Sequence, residues 1–355
     1  MKSLYTLIIP LLIGVFLLSA FSVSAVVLLP LDKPKRDSLH SNIITMFDKV
    51  NIFFYLGTKS APFTIKDSSG NKFQFRPTPQ TRMGIGIATK SFGIRLGFVL
   101  PTNTENERKY GKTNSLDFQT NIFAKKFGID VYFLSYRGFY LDNPRSLIPN
   151  WRNTSPFPQT RGLTRSTYGG NFFYIFNNND YSQKAAFQQI EWQKISAGSF
   201  LLGAYFNATK IAAEESFINL TDYGVNTSLS LESVYSYTGG VSIGYSHNFI
   251  IYKRFILSLT AMIGGGYLNT DYKYLPNTKP NETINGLGGK FSSRMALGYS
   301  RELNYFGLFY ITDTYEINLS KSENVKFLIT NFYVYYGRRF DLNRIMSRPR
   351  KSLTN

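Results

Sequence analysis

Apolar and polar residues alternate along most of the chain after residue 80. In the segment RMGIGIATK the apolar side chains fall on one face, at Met83, Ile85 and Ile87. The segment FSSRMALGYS repeats the pattern, with Phe291 on the face opposite to Arg294. Because successive side chains of a strand point to opposite faces, this period of two predicts a series of half-buried β-strands.

Three features of these segments favour a membrane barrel over a soluble sandwich. Many segments reach the ~9–11 residues with which a tilted strand crosses a bilayer. One face carries small or charged residues, and aromatic residues cluster near segment ends, as in SYRGFYLDN and YVYYGRRF. Since backbone groups in lipid need partners within the protein, a spanning sheet has to close on itself. We therefore expect an all-β fold, an antiparallel transmembrane β-barrel of about twelve strands within a range of about ten to fourteen.

Twelve segments carry the strand pattern. They are residues 82–89, 92–100, 115–124, 127–140, 165–177, 183–194, 197–210, 237–250, 254–268, 290–301, 305–317 and 325–340. In this assignment the short links near 90, 126 and 180 lie at one end of the barrel and those near 252 and 303 at the other, although such barrels keep short turns at one end. The conflict disappears if 183–194 does not span the membrane and 48–57 is the first strand. Both assignments give twelve strands.

The remaining segments are assigned to loops and flanks. Long outer loops are expected at residues 59–81, 101–114, 141–164, 211–235 and 270–288. The barrel itself occupies residues 47–340 in this assignment. Residues 26–46 are expected to form a periplasmic lead-in, with a short helix around His40 to Phe47, and residues 341–355 a basic, mobile tail.

The first 25 residues have the pattern of an export signal. Lys2 is followed by an apolar stretch, and Val23, Ser24 and Ala25 form a small-residue ending suited to cleavage after Ala25. The alternative is an uncleaved anchor, because the segment VVLLPL (26–31) prolongs the apolar run toward the ~20 residues that span a bilayer.

Composition is consistent with strands and with a bacterial envelope. Aromatic residues make up 16 % of the chain, the formal net charge is +18, and cysteine is absent. Disulfides, thiolate metal sites and a cysteine nucleophile are therefore excluded. For an exported protein, the positive charge points to anionic lipid headgroups as partners and not to nucleic acid.

The segment GGVSIGYSHNF (239–249) contains G-x-S-x-G, the short signature of a serine hydrolase. A nucleophile elbow needs a sharp turn at the serine, but here the alternation continues through the motif. Ser242 and His247 then point to opposite sides of one strand and cannot share a proton. A lipid-directed enzyme remains an alternative if His247 meets a serine on a flanking strand, such as Ser258.

Several polar side chains are predicted to face the lumen. The alternation assigns to it Arg82, Arg95, Asp117, Gln119, Asn121, Asp130 and Arg294. They are expected to form a charged network that rigidifies the barrel, or else to favour anions in a narrow water-filled path.

We expect no catalytic, metal or cofactor site. The chain has two histidines, His40 and His247, and its acidic residues are scattered, so zinc is not expected. Calcium in the Asp/Asn segment NNNDY (177–181) is the remaining alternative.

Two stretches resemble a known family. They are ENERKYGKTNSLDFQTNIFAKKFGIDVYFLSYRGFYLDNP (105–144) and FNNNDYSQKAAFQQIEWQKISAGSFLLGAYF (176–206). Both are similar to an uncharacterised domain-of-unknown-function family of exported Gram-negative proteins, regarded as outer-membrane barrels, whose domain would cover roughly residues 45–340. The resemblance implies a location in the bacterial outer membrane and no activity.

The sequence thus predicts an integral outer-membrane barrel of non-enzymatic function, with a structural, binding or narrow-pore role. Two alternatives stay open: a lipid-modifying barrel enzyme and a soluble periplasmic β-protein.

Overall fold

The computed structural model describes residues 42–46, 48–67, 69–89, 93–152, 156–225, 228–278, 280–318 and 324–341. The expected signal peptide, most of the lead-in and the basic tail lie outside these residues. Within the described chain no helix is long and apolar enough to cross a membrane. The short helix expected around His40 to Phe47 is wrong where it is described, because Ile43–Thr45 is a strand (β1).

Twelve antiparallel strands close into a ring, as the alternation predicted. In ring order they are β2 (Lys49–Ser60), β5 (Thr81–Ala88), β6 (Gly93–Val99), β7 (Asn114–Phe123), β8 (Phe127–Leu141), β9 (Gln159–Ile175), β11 (Ala197–Ala212), β14 (Leu231–Ile251), β15 (Phe255–Tyr274), β16 (Glu282–Ser300), β17 (Asn304–Asn318) and β18 (Asn324–Asp341). The first and last strands complete the ring by pairing from Lys49↔Asp341 to Ser60↔Thr330. Closure leaves neither of these terminal strands as a free edge.

The two faces of the wall have opposite chemistry. On β14, for example, Val241 and Ile243 are 64 % and 59 % exposed on the outside, whereas Ser242 and Ser246 on the other face are buried on the inside. Every ring strand from β5 to β16 carries exposed large apolar side chains of this kind. An apolar exterior around a closed ring is the architecture of a transmembrane β-barrel and not of a soluble sandwich.

The second of the two strand assignments is correct. Residues 183–194 do not span the barrel, and β2 is the first ring strand. The links 124–126, 252–254 and 301–303 then lie at one end, called here the turn end. The same end holds the end of β5, the start of β6, the start of β2 and the end of β18. The opposite end, the loop end, holds the described residues within 61–80, 100–113, 142–158, 213–230 and 275–281.

The loops expected at 211–235 and 270–288 are too long. The strands β14, β15 and β16 have 21, 20 and 19 residues, so most of 270–288 is paired sheet. Their loop-end portions contain Ser, Thr, Asn, Asp and Glu, because a strand that extends beyond the membrane no longer needs an apolar outer face.

At the loop end the barrel narrows to ten strands. The hairpin of β3 (Phe63–Lys66) and β4 (Lys72–Arg76) bridges β18 and β8, replacing β2, β5, β6 and β7 in the ring. The strand β8 changes partner from β7 to β4 at Gly138, whose φ is 92°. A Cβ at Gly138 would lie 2.2 Å from the carbonyl oxygen of Lys112, so the position requires glycine.

In the part of the chain that the structure describes, two short α-helices and two small two-stranded sheets lie outside the ring. Helix α1 (Thr104–Tyr110) lies between β6 and β7, and helix α2 (Gln183–Phe187) lies in the long link 176–196 at the turn end. β10 (Glu191–Gln193) in that link pairs with β1. β12 (Ile218–Asn219) pairs with β13 (Ser228–Leu229) at the loop end.

Candidate functional site: the barrel interior

The interior at the loop end is filled by an apolar core. Side chains from the β3–β4 hairpin, including Phe63, Phe73 and Phe75, pack with Phe217 and Leu220 from the link before β14. Arg165 of β9 is fully buried among them, and its Nη1 donates to the carbonyl oxygens of Ala61 and Pro62 at 2.9 and 2.8 Å. The ten-stranded part of the barrel is therefore a packed core.

A neutral group of four charged residues occupies the middle of the interior. Arg294 of β16 donates to the Asp130 carboxylate of β8 across the barrel. Lys290 lies 3.9 Å from Asp313 of β17, and Ser292 donates to that same carboxylate. All four charged side chains are buried, and two cations offset two anions.

A second polar cluster lies beside β5, β6 and β7. Lys59 and Asp117 form an ion pair of 2.7 Å, and the Tyr136 hydroxyl donates to the other Asp117 oxygen at 2.9 Å. Arg82 donates to Ser115 at 2.7 Å, and Arg95 donates to the Asn121 oxygen at 2.8 Å.

The seven positions assigned to the lumen all have partners within the barrel. Asn121 connects the two clusters, because its amide donates to Asp130 at 2.5 Å while its oxygen accepts from Arg95. Gln119 accepts from Asn331 of β18 at 2.6 Å. The relevance of these residues for transport stays a prediction.

Sequence reasoning missed several residues of the same network. Lys290 and Asp313 are the partners of Arg294 and Asp130 in the neutral group, and Lys59 neutralises Asp117. Lys290 could have been found, since it is four residues from Arg294 on the same strand and therefore lies on the same inward face. Lys59 was assigned to a loop and therefore escaped notice.

Residues 177–193, called here the plug, enter the barrel from the turn end. Asn51 of β2 donates to the carbonyl oxygens of Gln188 and Gln189 at 3.1 and 2.9 Å. Arg339 of β18 donates to the same Gln189 carbonyl oxygen at 3.1 and 2.7 Å. Asn248 of β14 donates to the Ser182 carbonyl oxygen at 2.9 Å. The plug is thus held by strands from separate parts of the wall.

The plug is buried despite its polar sequence. Gln183, Gln189 and Gln193 are each no more than 2 % exposed. Ala185 and Ala186 pack into an apolar cluster with wall residues. A cavity of about 30 Å³ remains between the plug and the wall near Arg95, room for about one or two waters.

The structure does not bring the candidate catalytic pair together. Ser242 and Ser258 are buried inside the barrel. His247 lies on the outside, where its Nδ1 is 3.2 Å from the Tyr245 hydroxyl and its ring is 4.3 Å from the Phe249 ring. Among the described residues, no three His, Asp or Glu side chains are grouped to hold a metal ion.

Solved structures with a similar arrangement are outer-membrane barrels. The outer membrane protease OmpT of Escherichia coli matches with a TM-score of 0.39 and 8 % identity, covering 84 % of this chain and 98 % of its own. The toluene transporter TodX of Pseudomonas putida matches with a TM-score of 0.29 and 10 % identity, covering 82 % and 90 %. OmpT of Vibrio cholerae has a TM-score of 0.28 and 9 % identity, covering 82 % and 98 %.

Family membership is more direct. No curated protein matches the sequence significantly. The family described as Domain of unknown function (DUF4421) matches residues 35–340, which include every described ring strand apart from Asp341, the last residue of β18. The chain belongs to this family, as the resemblance of the stretches 105–144 and 176–206 indicated.

Proposed function

We propose that the protein is an integral barrel of the bacterial outer membrane, non-enzymatic, with a binding role and an interior that its own chain keeps closed. The observation that carries this proposal is the plug. Hydrogen bonds hold it to β2, β14 and β18. The export signal expected from the sequence and the apolar belt of a closed ring support the location.

Closure at two levels argues against a permanently open pore. At the turn end the plug fills the ring, and at the loop end the apolar core fills the ten-stranded part. A water-filled path needs polar walls and free volume, but the middle level between them is occupied by paired charges. Passage of any solute would require the plug or the wall to move.

Current through planar bilayers tests this proposal. We expect the purified, folded wild-type protein to show no steady ohmic conductance. A steady current from wild type, weakened in its anion preference by Arg95→Glu, would establish an open pore and contradict the closed barrel. Recovery of the protein with outer membranes on fractionation tests the location, and recovery in the soluble periplasmic fraction would contradict it.

A lipid-modifying activity is not proposed, because no observation favours it over binding. Contact between the basic tail, residues 341–355, and anionic lipid headgroups stays an expectation from the sequence, since most of that segment lies outside the described residues.

A further inference from the structure

In the described part of the barrel wall, one pair of neighbouring strands, β6 and β7, is scarcely hydrogen-bonded. Elsewhere in the twelve-stranded ring, neighbouring strands pair over at least seven positions, but β6 and β7 pair only at Gly93↔Asn121. Residues 94–99 of β6 and 114–120 of β7 therefore face each other without a ladder. We call this gap the seam.

The seam lies at the level of the membrane. On its outer side β6 exposes Ile94, Leu96 and Phe98, and β7 exposes Leu116 and Phe118. In lipid, unpaired backbone N–H and C=O groups are costly, so this part of the wall is less stable than its paired strands, and a polar head group there would meet free hydrogen-bonding groups.

Side chains hold the seam together from inside. Arg82 of β5 reaches past β6 to Ser115 of β7, and Ser115 donates to Gln80 at 2.7 Å. Arg95 reaches Asn121 at the closed end. A few side-chain hydrogen bonds are easier to separate than a backbone ladder, so the seam is the part of the wall that can open.

The inner side of the seam carries excess positive charge. Lys59, Arg82 and Arg95 are three cations, and Asp117, paired with Lys59, is the carboxylate among them. Neither Arg82 nor Arg95 has an ion-pair partner within the described chain, and the Nε of Arg82 is buried without any hydrogen-bond partner. Arg82 is buried and Arg95 is half-buried, and cations so placed without counter-charges are unfavourable, so the site favours an anion.

We propose that the seam binds an anionic amphiphile, a single-chain lipid with a carboxylate or similar head. Its head group meets Arg82 and Arg95, and its tail lies in the bilayer against Leu96 and Phe118. The plug and the apolar core close both ends of the lumen, which leaves the membrane as the route of entry. This inference rests on the proposed function, since it requires a barrel inserted in a membrane.

The test uses a bromine-carrying fatty acid, 12-bromododecanoate, as a fluorescence quencher. The chain has no cysteine, so a thiol-reactive fluorophore can be attached at a single position. Leu96→Cys places it at the seam, and Ile243→Cys places it on the remote strand β14. In nanodiscs of zwitterionic lipid, we expect saturable quenching at residue 96 and only linear, unsaturated quenching at residue 243. Equal, unsaturated quenching at both positions would overturn the proposal.

Charge variants separate binding from partitioning. The double variant Arg82→Gln/Arg95→Gln should bind the bromo acid more weakly, because charge-assisted hydrogen bonds to the head are lost. The bromo-acid concentration that gives half-maximal quenching at residue 96 should rise at least about tenfold. Arg95→Lys should retain most of the affinity, and Arg338→Gln, an exposed arginine of β18, should change nothing. Unchanged binding in the double variant, with native gel mobility, would contradict the assigned head-group site.

Two competitors distinguish the source of the anion. Neutral 12-bromododecanol should not give saturable quenching, and millimolar acetate should not displace the bromo acid. Displacement by acetate would mean that the seam holds a free anion and not an amphiphile, which overturns the proposal. Conductance and fractionation give their results independently, so failure at the seam is distinguishable from failure of the proposed function.

Discussion

At the residue scale, buried charge pairs hold the interior together. Asp130 and Arg294 come from strands on different sides of the ring and are 3 % exposed each. Replacing one member leaves the other charge buried and unpaired, which typically costs ~3–5 kcal/mol. We expect Asp130→Asn to lower the free energy of unfolding by about that amount, measured by urea titration of the protein in detergent micelles with circular dichroism.

Two further variants show whether the cost comes from the unpaired charge. Arg294→Gln added to Asp130→Asn removes the second charge, and the double variant should recover at least half of the lost stability. Asp341→Asn is the matched control, because Asp341 is half-exposed and its 4.0 Å pair with Lys49 is worth at most about 1 kcal/mol. A double variant no more stable than Asp130→Asn would contradict this account.

The interior faces could be predicted from the sequence, but the pairings could not. Alternation alone is enough to put Asp117, Asp130 and Arg294 on inward faces. Which charges meet depends on the ring closing and on the stagger of its strands, as for Asp130 and Arg294, which are 164 residues apart. That information is absent from any single segment.

At the element scale, the plug shows why a strand pattern can mislead. Residues 183–194 alternate well enough to look like a spanning strand, yet they form helix α2, a turn at Gln189 with φ 57° and the short strand β10. Inside a barrel a segment is enclosed on all sides, so its polar and apolar residues need not follow one face. The parity of the short turns was the signal that identified it.

Loosening the plug should expose it to reagents from the turn end. We expect Gln183→Cys, at a buried position of the plug, to react slowly with a small thiol reagent in the otherwise wild-type protein. Arg339→Gln removes two donors to the Gln189 carbonyl oxygen, a loss of ~1.5–3 kcal/mol for charge-assisted bonds. Labelling of residue 183 should then become at least about tenfold faster.

The neighbouring arginine supplies the control for this experiment. Arg338 is exposed on the outer face, so Arg338→Gln should leave the labelling rate unchanged. The Arg339 side chain also donates to the Arg301 carbonyl oxygen in the turn 301–303. Asn51→Ala leaves that bond in place, removes the Asn51 bonds to the plug carbonyl oxygens and should act like Arg339→Gln. Fast labelling of residue 183 without further changes would show that the plug is open, and equally slow labelling in all variants would show that these hydrogen bonds do not hold it.

At the scale of the whole molecule, the two ends of the barrel differ in construction. The turn end has short links, both chain ends of the ring and the plug, whereas the loop end has the hairpin, helix α1 and the apolar core. In outer-membrane barrels, short turns face the periplasm and long loops face the outside. This asymmetry predicts the orientation of the chain in the membrane.

Single cysteines at the two ends test that orientation and the location together. Thr278→Cys lies at the exposed tip of the β15–β16 link, and Arg254→Cys lies in the exposed β14–β15 turn. On intact bacterial cells, a membrane-impermeant maleimide should label residue 278 at once, and residue 254 only after the outer membrane is permeabilised. The reverse labelling pattern would show that the barrel is inserted in the opposite orientation. Protection of both residues until permeabilisation would place the protein in the periplasm and contradict an outer-membrane location, because no part of an inserted barrel's loop end is hidden from the outside.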